Sequence, residues 1–512
     1  MLSCIDSSAV LGIDAFRVVV EVDASPGEGK FLLVGLPDAA VRESGERVRA
    51  AMRNSEFKFP SSSRLVVNLA PADVRKEGPG FDLPIAMGIL MATGQIEMED
   101  INSFMITGEL SLDGSVRSVA GVLPMALAAK EQGKKALIVP AGNLREAAVV
   151  DGLDIYPVET LFDAARVFNY VAGREPIRGG VDSFSPEDGI FDVDLSEVKG
   201  QESVRRALEI AAAGGHNMLM VGPPGSGKTL LARRLPTILP DLTLDESLEI
   251  TKIYSIAGML NTESGLLRTR QFRSPHHTIS TAGLVGGGSY PRPGEISLSH
   301  HGVLFLDEFP EFDRRTLEVM RQPLEDGLVT ISRAAANLTY PARLQLVASM
   351  NPCPCGYLGD TVQRCSCSPI SVEKYQARIS GPILDRLDIH VEVPRLNKDE
   401  LMSNRPGESS AAVRTRVMDA RKRQTQRFHD TPVKNNAQMR PKDMKVYCHM
   451  YDDALALLRS AIDKLSLSAR AYDRVLKLAR TIADLDGADK IGMPHIAEAV
   501  QYRSMDRKYT KR

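Results

Sequence analysis

The spacing of apolar and polar residues changes along the chain, and these changes divide it into three blocks. The first block ends near Val171 and mixes β-rich runs, such as FRVVVEV and RLVVNLA, with helical stretches such as DAAVRESGERVRAAMRNS. The second block, from about Ile190 to Pro394, alternates strand-like apolar runs with helical stretches, which indicates a parallel α/β sheet. The last block contains LSARAYDRVLKLARTIADLDG, with apolar residues at helical spacing and a terminal Gly, and is predicted to be helical.

Polar segments mark the joints between these blocks. VAGREPIRGGVDSFSPEDG is rich in Gly, Pro and Asp without apolar periodicity, which indicates an interdomain linker, and NKDELMSNRPGESSAA is a second polar joint. We therefore predict an α+β domain over 1–170, a linker over 171–189, an α/β domain with a parallel sheet over 190–395, a polar connection over 396–440 and a C-terminal helical domain over 441–512.

Composition narrows the class of protein. The 512 residues carry 63 Lys or Arg and 65 Asp or Glu, so any nucleic-acid contact must come from local patches. The most apolar uncharged segment, Leu83 to Ile96, is shorter than the roughly 18 residues that a membrane span needs. The N-terminus has no basic region before an apolar run, and six cysteines are too sparse for a disulfide scaffold. We expect a cytoplasmic protein with no membrane contact.

The strongest chemical signal is a phosphate-binding loop. The segment MLMVGPPGSGKT runs from an apolar strand into a GxxxxGK[ST] motif, and the helical LLARRL follows it. Backbone amides of such a loop and the helix N-terminus bind phosphate, the lysine reaches the β- and γ-phosphates, and the Thr hydroxyl binds Mg²⁺. The predicted nucleotide-binding residues are Gly222, Pro223, Pro224, Gly225, Ser226, Gly227, Lys228 and Thr229.

Two later strands end in polar residues that suit the same site. GVLFLDE delivers Asp307 and Glu308 at a strand end, where an aspartate would hold the Mg²⁺ shell and a glutamate would orient and polarise the attacking water. RLQLVASMN ends in Asn351, which is either a contact to the γ-phosphate or to water, or a turn residue. Together with the loop, these residues predict hydrolysis of ATP with Mg²⁺.

The order of phosphate loop, LFLDE, strand-final Asn, LDRLD and SAR resembles the AAA+ ATPases. PLEDGLVTISRA, YPARLQLVASMNPCPCGYLGD and ARTIADL resemble the magnesium-chelatase-like subgroup, and nearly the whole chain is similar to its ComM/YifB family. The resemblance implies a homo-hexameric ring. It also implies that Arg386 is an arginine finger for a neighbouring subunit's nucleotide, and that the helical lid brings Arg470 to the γ-phosphate.

The same resemblance implies DNA as the substrate. Members of the ComM/YifB family are expected to drive branch migration of DNA junctions during recombination of incoming DNA, as in natural transformation. VTISRAAANLTY is predicted to form a hairpin that projects into the ring pore, where Arg333 would contact phosphates of branched or duplex DNA. VRTRVMDARKRQTQR and the tail DRKYTKR are locally basic, as solvated faces often are. A chelatase-type motor and a protein-remodelling ATPase are the alternatives.

The N-terminal block is similar to the proteolytic domain of Lon. GELSLDGSVRSVAGVLPMALAAKEQGKKALIVP and KEGPGFDLPIAMGIL carry this resemblance. Lon-type proteases use a Ser–Lys dyad. Here Gly80 stands at the nucleophile position and Leu123 at the lysine position, so we expect a proteolytically inactive domain that serves assembly or DNA handling.

Cysteines and histidines cluster at two places in the second block. Two C-x-C pairs directly after Asn351 either close a structural four-thiolate zinc site or remain free thiols. Paired histidines flank the glycine-rich AGLVGGGSYPRPGE, and we interpret this region as a flexible insert that faces the pore without binding metal. The candidate zinc ligands are Cys353, Cys355, Cys365 and Cys367, and the histidines are His276, His277, His300 and His301.

Overall fold

The structure is a computed structural model that forms two compact units. The first unit is Met1–Ser185 with Thr243–Leu267, and the second is Pro186–Leu242 with Arg268–Arg512. Only 175–180 of the predicted linker over 171–189 lies within the described residues, and the basic tail 506–512 lies outside them. The described residues are 1–97, 100–169, 175–180, 191–261, 263, 265–288, 291–333, 337–402, 406–465 and 468–503.

The first unit contains two four-stranded sheets. In FRVVVEV, Val18, Val20 and Val22 are fully buried while the intervening side chains point to the other face, as the alternation of a half-buried strand requires. One sheet has the order β1-β2-β4-β3 and the other β10-β9-β8-β5, with a small β6–β7 hairpin beside them. The strands are β1 Leu2–Leu11, β2 Asp14–Pro26, β3 Phe31–Val34, β4 Ser63–Ala70, β5 Phe104–Ile106, β6 Glu109–Leu110, β7 Val116–Arg117, β8 Ala136–Pro140, β9 Asp154–Val158 and β10 Ile177–Arg178.

A helix that is apolar on every side lies in the core of this unit. Positions 82–90 are all buried in this helix, which packs against β1 and β2. Among the described residues, no helix has the length and apolarity to cross a bilayer, and the apolar segment predicted to be too short for a span is this core helix. The helices are α1 Ala39–Arg42, α2 Ser44–Asn54, α3 Asp82–Ala92, α4 Val122–Glu131, α5 Leu144–Ala147 and α6 Leu161–Asn169.

The second unit is built on the predicted parallel sheet, whose order is β12-β15-β18-β11-β19 with every pair parallel. Strands β11 and β15 are wholly apolar and β18 is apolar except for Gln345 and Ser349, and all three are buried on both faces, as expected for a sheet covered by helices. Two antiparallel hairpins, β13–β14 and β16–β17, stand apart from it, and the second is the predicted VTISRAAANLTY hairpin. The strands are β11 Met218–Val221, β12 Phe272–Arg273, β13 Gly286–Gly287, β14 Arg292–Pro293, β15 Val303–Leu306, β16 Leu328–Ser332, β17 Asn337–Pro341, β18 Gln345–Met350 and β19 Ile389–Glu392.

Helices α7 and α17 to α21 share one hydrophobic core with the faces of α8 and the sheet. Residues 410–427, within the segment predicted to be a polar connection, form an amphipathic helix, because Val413, Val417 and Ala420 recur at helical spacing and are buried. The helices of this unit are α7 Glu202–Gly214, α8 Lys228–Ile238, α10 Thr281–Val285, α11 Glu295–Leu298, α12 Arg314–Glu318, α13 Arg321–Asp326, α14 Pro369–Gln376, α15 Gly381–Leu384, α16 Lys398–Met402, α17 Ser410–Arg427, α18 Pro441–Tyr447, α19 Asp452–Leu465, α20 Ala469–Leu485 and α21 Met493–Gln501.

One helix from the middle of the chain belongs to the first unit. Helix α9, Leu244–Ile256, begins with a capping box at Thr243 and packs against α4. The backbone N–H of Gly121 donates to the carbonyl of Ser255 at 3.1 Å, and the Ser255 hydroxyl donates to the buried carboxyl of Glu146. Burial raises the pKa of Glu146, and the hydrogen bonds to its carboxylate offset part of that shift.

A buried polar cluster joins the C-terminal helices α18 to α21, which we call the lid, to the amino end of the parallel sheet. Both ring nitrogens of His216 are engaged, Nδ1 with Asp388 Oδ2 at 3.0 Å and Nε2 with Thr481 Oγ1 at 2.8 Å. Burial alone would raise the pKa of Asp388, but the His216 contact and the charge of Arg474 lower it to about 2. The lid is therefore bonded to the edge of the sheet from which β11 and β19 start.

Candidate nucleotide-binding site

The phosphate loop lies between the carboxyl end of β11 and the first turn of α8, as predicted. A Cβ at Gly222 would lie 2.2 Å from the carbonyl oxygen of Val393, so only glycine allows the loop to pass this neighbour. Gly227 has a φ of 88°, in the left-handed region that glycine adopts without strain. The side-chain amide of Gln201 supports the loop from outside by donating to the carbonyl of Ser226 at 2.8 Å. The two glycines therefore allow the tight path that a phosphate-binding loop follows.

Lys228 is buried beneath this loop. Its ammonium group donates to the carbonyl oxygens of Gly222 at 2.8 Å and Pro223 at 3.0 Å, and to Asn351 Oδ1 at 3.2 Å. Burial lowers the pKa of Lys228, and the negative charge of Asp307, followed by that of Glu308, offsets part of that shift. The two carboxylates compensate only part of the cost of burying this cation, and the negative charge of a phosphate group would compensate the rest.

Asp307 is held between the neighbouring strand β18 and the loop helix α8. Its Oδ2 accepts from the Thr229 hydroxyl at 2.7 Å, and its Oδ1 accepts from the Ser349 hydroxyl. Thr229 and Asp307 thus lie together, as the Mg²⁺ prediction requires, and a hydroxyl with a carboxylate is the oxygen donor set that Mg²⁺ accepts. Ser349 was not predicted from the sequence. It could have been recognised, because it lies two residues before the strand-final Asn351 and such residues share one face of a strand.

Glu308 follows Asp307 in the left-handed conformation, with a φ of 52°. Its side chain is exposed, and Oε2 lies 3.3 Å from Nδ1 of His277. The sequence interpretation placed His277 on a flexible pore-facing insert. The structure instead brings it to Glu308, because β12 pairs with β15 and the chain after β12 therefore reaches the same edge as the chain after β15. Pairing of these strands is not visible in the local pattern of the sequence.

Asn351 lies at the end of β18, and its side chain accepts from the Lys228 ammonium, as a contact to the γ-phosphate would require. The phenol of Tyr375 bonds to the backbone of Asn351, and burial, followed by the charge of Glu311, raises the pKa of Tyr375 to about 12. In this bond the phenol oxygen accepts from the backbone of Asn351, because the bond itself lowers the pKa and so offsets part of the rise. Tyr375 was not identified from the sequence, since it lies 24 positions downstream on α14.

The four cysteines after Asn351 come together. The Sγ atoms of Cys353, Cys355 and Cys365 are 3.4 to 3.6 Å apart, and all four ligand atoms lie within 4.8 Å of one another. Sulfurs about 2.3 Å from one tetrahedral zinc ion would be roughly 3.8 Å apart, so the four thiols fit that ion. The loop also abuts the phosphate loop, because a Cβ at Gly356 would lie 2.5 Å from Cδ of Pro224.

Arg386 and Arg470 lie at the opposite edge of the sheet. The carbonyl of Arg386 accepts from the Asn217 side chain at 3.0 Å, just before β11 begins, and Arg470 lies 3.5 Å from Asp385, just before β19. The phosphate loop follows the other end of β11, and a four-residue strand spans about 13 Å. The guanidinium of Arg386 pairs with Glu325 of its own chain.

Arg333 is exposed directly after β16, and the next residues, 334–336, lie outside the described residues. Its Nη2 would lie 3.4 Å from a Cβ at Gly287, so the two hairpins are neighbours at this point. Arg333 therefore belongs to the β16–β17 hairpin and not to the parallel sheet.

The predicted protease positions carry no protease chemistry. Gly80 lies in a single turn before α3, and Leu123 is fully buried in α4. The acid closest to Gly80 in sequence, Asp82, is fully buried and accepts from the Ser44 hydroxyl, while the Arg47 guanidinium pairs with both of its carboxylate oxygens. This network is saturated and structural.

A parallel sheet of order 2-3-4-1-5, a phosphate loop after the first of its strands in the chain, an Asp–Glu pair after the third and a helical lid define an AAA+ ATPase fold. Family profiles agree with that class. The chain matches "Magnesium chelatase, subunit ChlI" over residues 194–401, "Subunit ChlI of Mg-chelatase" over 20–143 and "Magnesium chelatase, subunit ChlI C-terminal" over 407–503.

Full-length relatives narrow the class to a family. The chain is 44% identical to competence protein ComM of Haemophilus influenzae and 43% identical to YifB of Escherichia coli, in each case over 99% of this chain and 98% of the other. A part of the chain is 28% identical to Lon protease 2 of Bacillus subtilis over 159 residues, 28% of each protein. The chain belongs to the ComM/YifB family of magnesium-chelatase-like AAA+ proteins, and the similarity of its N-terminal region to Lon is confirmed.

The buried lysine yields a first prediction. Lys228→Ala removes the cation that faces Asn351 and the loop carbonyls, and we expect ATP binding to weaken at least a hundredfold, measured with a fluorescent ATP analogue. Arg233→Ala is the matched control, because Arg233 lies on the same helix but is exposed. Equal affinity of the Lys228 variant and the control would contradict the site.

Proposed function

We propose that this protein is an ATP-hydrolysing ring motor that acts on DNA, driving branch migration of junctions during recombination of incoming DNA. The observation that carries the ATPase part is the meeting of Lys228, Thr229, Asp307 and Asn351 at one sheet edge. The DNA part is supported by full-length similarity to a protein named for competence.

Hydrolysis is proposed to use the residues already in place. Lys228 exchanges its contacts to loop carbonyls for the β- and γ-phosphates, and Thr229 with Asp307 holds Mg²⁺, which neutralises charge on the transferring group when bound. Glu308 orients the attacking water and accepts its proton. His277, in contact with the Glu308 carboxylate, holds that carboxylate in position until water and nucleotide are bound.

A homo-hexameric ring is supported by the position of the two arginines. Arg386 and Arg470 both lie at the sheet edge opposite the phosphate loop, so we propose that both reach the γ-phosphate bound to an adjacent subunit. Arg386 lines a cavity of about 490 Å³ with Glu318, Glu325 and Asp326. To reach a neighbour's nucleotide, the Arg386 guanidinium must break its ion pair with Glu325. We therefore propose that this ion pair breaks when the subunits come into contact.

DNA contact is proposed for the hairpin β16–β17. Arg333 is an exposed cation at its end, next to a second hairpin, and a ring of six copies would present six such cations. Phosphate contacts of this kind carry no sequence information and weaken steeply with salt, as a motor that tracks any duplex requires.

A chelatase-type motor is the second candidate, because the matching family profiles describe a magnesium-chelatase subunit. A protein-remodelling ATPase is the third. The ATP site is shared by the three classes, so only the molecule that stimulates ATP turnover distinguishes them.

The proposed function predicts that a synthetic four-way DNA junction stimulates steady-state ATP turnover, more than linear duplex of the same length does. Lys228→Ala serves as the blank, and Glu308→Gln is expected to bind ATP while turnover falls about 10²- to 10³-fold, since the water loses its base. Stimulation by porphyrin with a partner subunit, or by unfolded protein, in place of the junction would contradict the DNA assignment.

The ring arrangement predicts complementation between two inactive variants. Arg386→Ala is expected to bind ATP yet show turnover reduced at least 10³-fold, and mixing it with Lys228→Ala should restore part of the rate, because an intact finger then faces an intact loop. Arg378→Ala, which removes a half-exposed arginine paired with Glu311, is the control. Failure to recover turnover at any mixing ratio would contradict a role across the interface.

We propose that Cys353, Cys355, Cys365 and Cys367 hold a structural zinc ion. The ion would stabilise the loop that carries these cysteines and would take no part in catalysis. Through Gly356, that loop contacts Pro224 of the phosphate loop, and the Gln376 side chain donates to the Pro352 carbonyl at 3.0 Å. The ion would thus stabilise the surroundings of Asn351.

The zinc proposal predicts one zinc ion per chain in purified protein, measured by mass spectrometry of the metal. Cys367→Ser should lower that content and reduce the thermal unfolding temperature. Cys448→Ser should leave the zinc content unchanged, because Cys448 is buried in the lid, away from the cluster. A content well below one ion in the wild-type protein would contradict the proposal.

A further inference from the structure

A basic cavity in the first unit belongs to none of the machinery described so far. It has a volume of about 310 Å³ and lies beside β3, the edge strand of the first sheet. That volume is at the lower end of small-molecule sites and suits a ligand the size of one nucleotide. Its walls come from the start of β3, helix α2, the 59–63 turn and the start of β4.

The charged groups that line the cavity are all cations. Within the described part of the chain, Lys30, Arg49 and Arg53 line it, and no carboxylate does. Arg49 and Arg53 are one helical turn apart on α2 and therefore share a face. Two exposed glutamates lie outside the lining, Glu28 at 3.2 Å from Lys30 and Glu46 at 3.7 Å from Arg49, and such exposed pairs hold their cations only weakly.

Arg49 is the cation whose side chain is held most firmly in place. Its guanidinium lies 5.0 Å from the centre of the Phe59 ring, so the planar group is held against an aromatic face. Its Nε atom is buried and has no hydrogen-bond partner among the described residues. The aromatic contact therefore holds the charge of Arg49 at the cavity wall, where it attracts an anion.

Aromatic surface completes the cavity. Phe59 and Phe31 are both partly exposed, one on the turn and one on the edge strand. Phe31 is fixed by close packing, since a Cβ at Gly45 would lie 2.8 Å from its ring. Rings and guanidinium planes of this kind are the surfaces on which unpaired bases stack.

We infer that this cavity binds one nucleotide, with its phosphate on Arg49, Arg53 and Lys30 and its base stacked on Phe59 or Phe31. The ligand is either a nucleotide within a single strand or a free mononucleotide, since both present the same phosphate and base. A single strand is the source that suits the proposed DNA motor, because branch migration separates strands transiently.

The inference extends the proposed action on DNA but does not depend on ATP turnover. The test therefore measures binding to the full-length protein without ATP. The probes are a fluorescein-labelled twelve-residue thymidylate strand, followed by fluorescence anisotropy, and thymidine monophosphate, followed by calorimetry. Absence of junction-stimulated turnover together with normal strand binding would contradict only the proposed motor function. Normal stimulation together with absent strand binding would contradict only the inference about this cavity.

Four variants separate the effects of charge, stacking and fold. Arg53→Glu is expected to weaken strand binding roughly tenfold, and Arg53→Gln to lower the salt dependence by about 0.7 in log–log slope, the value for one phosphate that the protein no longer neutralises. Phe59→Leu keeps apolar volume without the ring and should weaken binding severalfold at unchanged slope. Arg42→Glu, the same charge reversal at an exposed arginine outside the cavity, should bind as the wild type does. Thermal unfolding midpoints check that each variant is folded.

Photo-cross-linking identifies the site directly. A strand that carries 5-bromouracil should attach to tryptic peptide 59–64 or 31–42, which contain the two phenylalanines. Binding of thymidine monophosphate alone, weakened by Arg53→Glu, would support a free nucleotide as the source. Wild-type affinity in Arg53→Glu and Phe59→Leu for both probes, with no adduct on either peptide, would overturn the inference, as would a wild-type protein that binds neither probe.

Discussion

The position of Asp307 between Thr229 and Ser349 is the contact on which the nucleotide site depends. These residues come from three places in the chain, and they meet because β11, β15 and β18 are parallel and in matched register, with β18 between the other two. The carboxyl ends of parallel strands meet at one edge, so one sheet topology places the loop lysine, the acid pair and the strand-final asparagine within reach. A register shift of one residue would turn these side chains to the opposite face.

The same topology separates the site from the two arginines. Residues just before β11 and β19 lie at the amino edge, where the His216–Asp388 pair bonds the lid to the sheet. Arg386 and Arg470 therefore belong to a different face of the molecule from the phosphate loop. The ring that we propose accounts for this separation, because the arginines of one subunit would then face the phosphate loop of the next.

The Lon-like region has kept a well-packed core without protease chemistry. Burial of the apolar helix α3 and the saturated Asp82 network stabilise it, and neither needs a catalytic serine or lysine. Helix α9 lies in sequence inside the ATPase region but packs within this unit, through Ser255 and Glu146. With Gly80 and Leu123 at the positions of the dyad, the cavity lined by cations and aromatic rings is where we propose a binding role.

Local sequence determined the elements and the chemical identity of the site. The phosphate loop, the acids after LFLDE, the parallel sheet and the β16–β17 hairpin were predictable, because each is encoded in a short run with its own periodicity or backbone requirement. Ser349, His277, Tyr375 and Gln201 were not, since their roles come from strand order and loop paths that bring distant residues together. Tertiary structure also decided that the four cysteines meet, that helix α9 belongs to the first unit and that both arginines lie opposite the loop. Contacts between distant residues depend on the topology of the whole sheet, which no local pattern specifies.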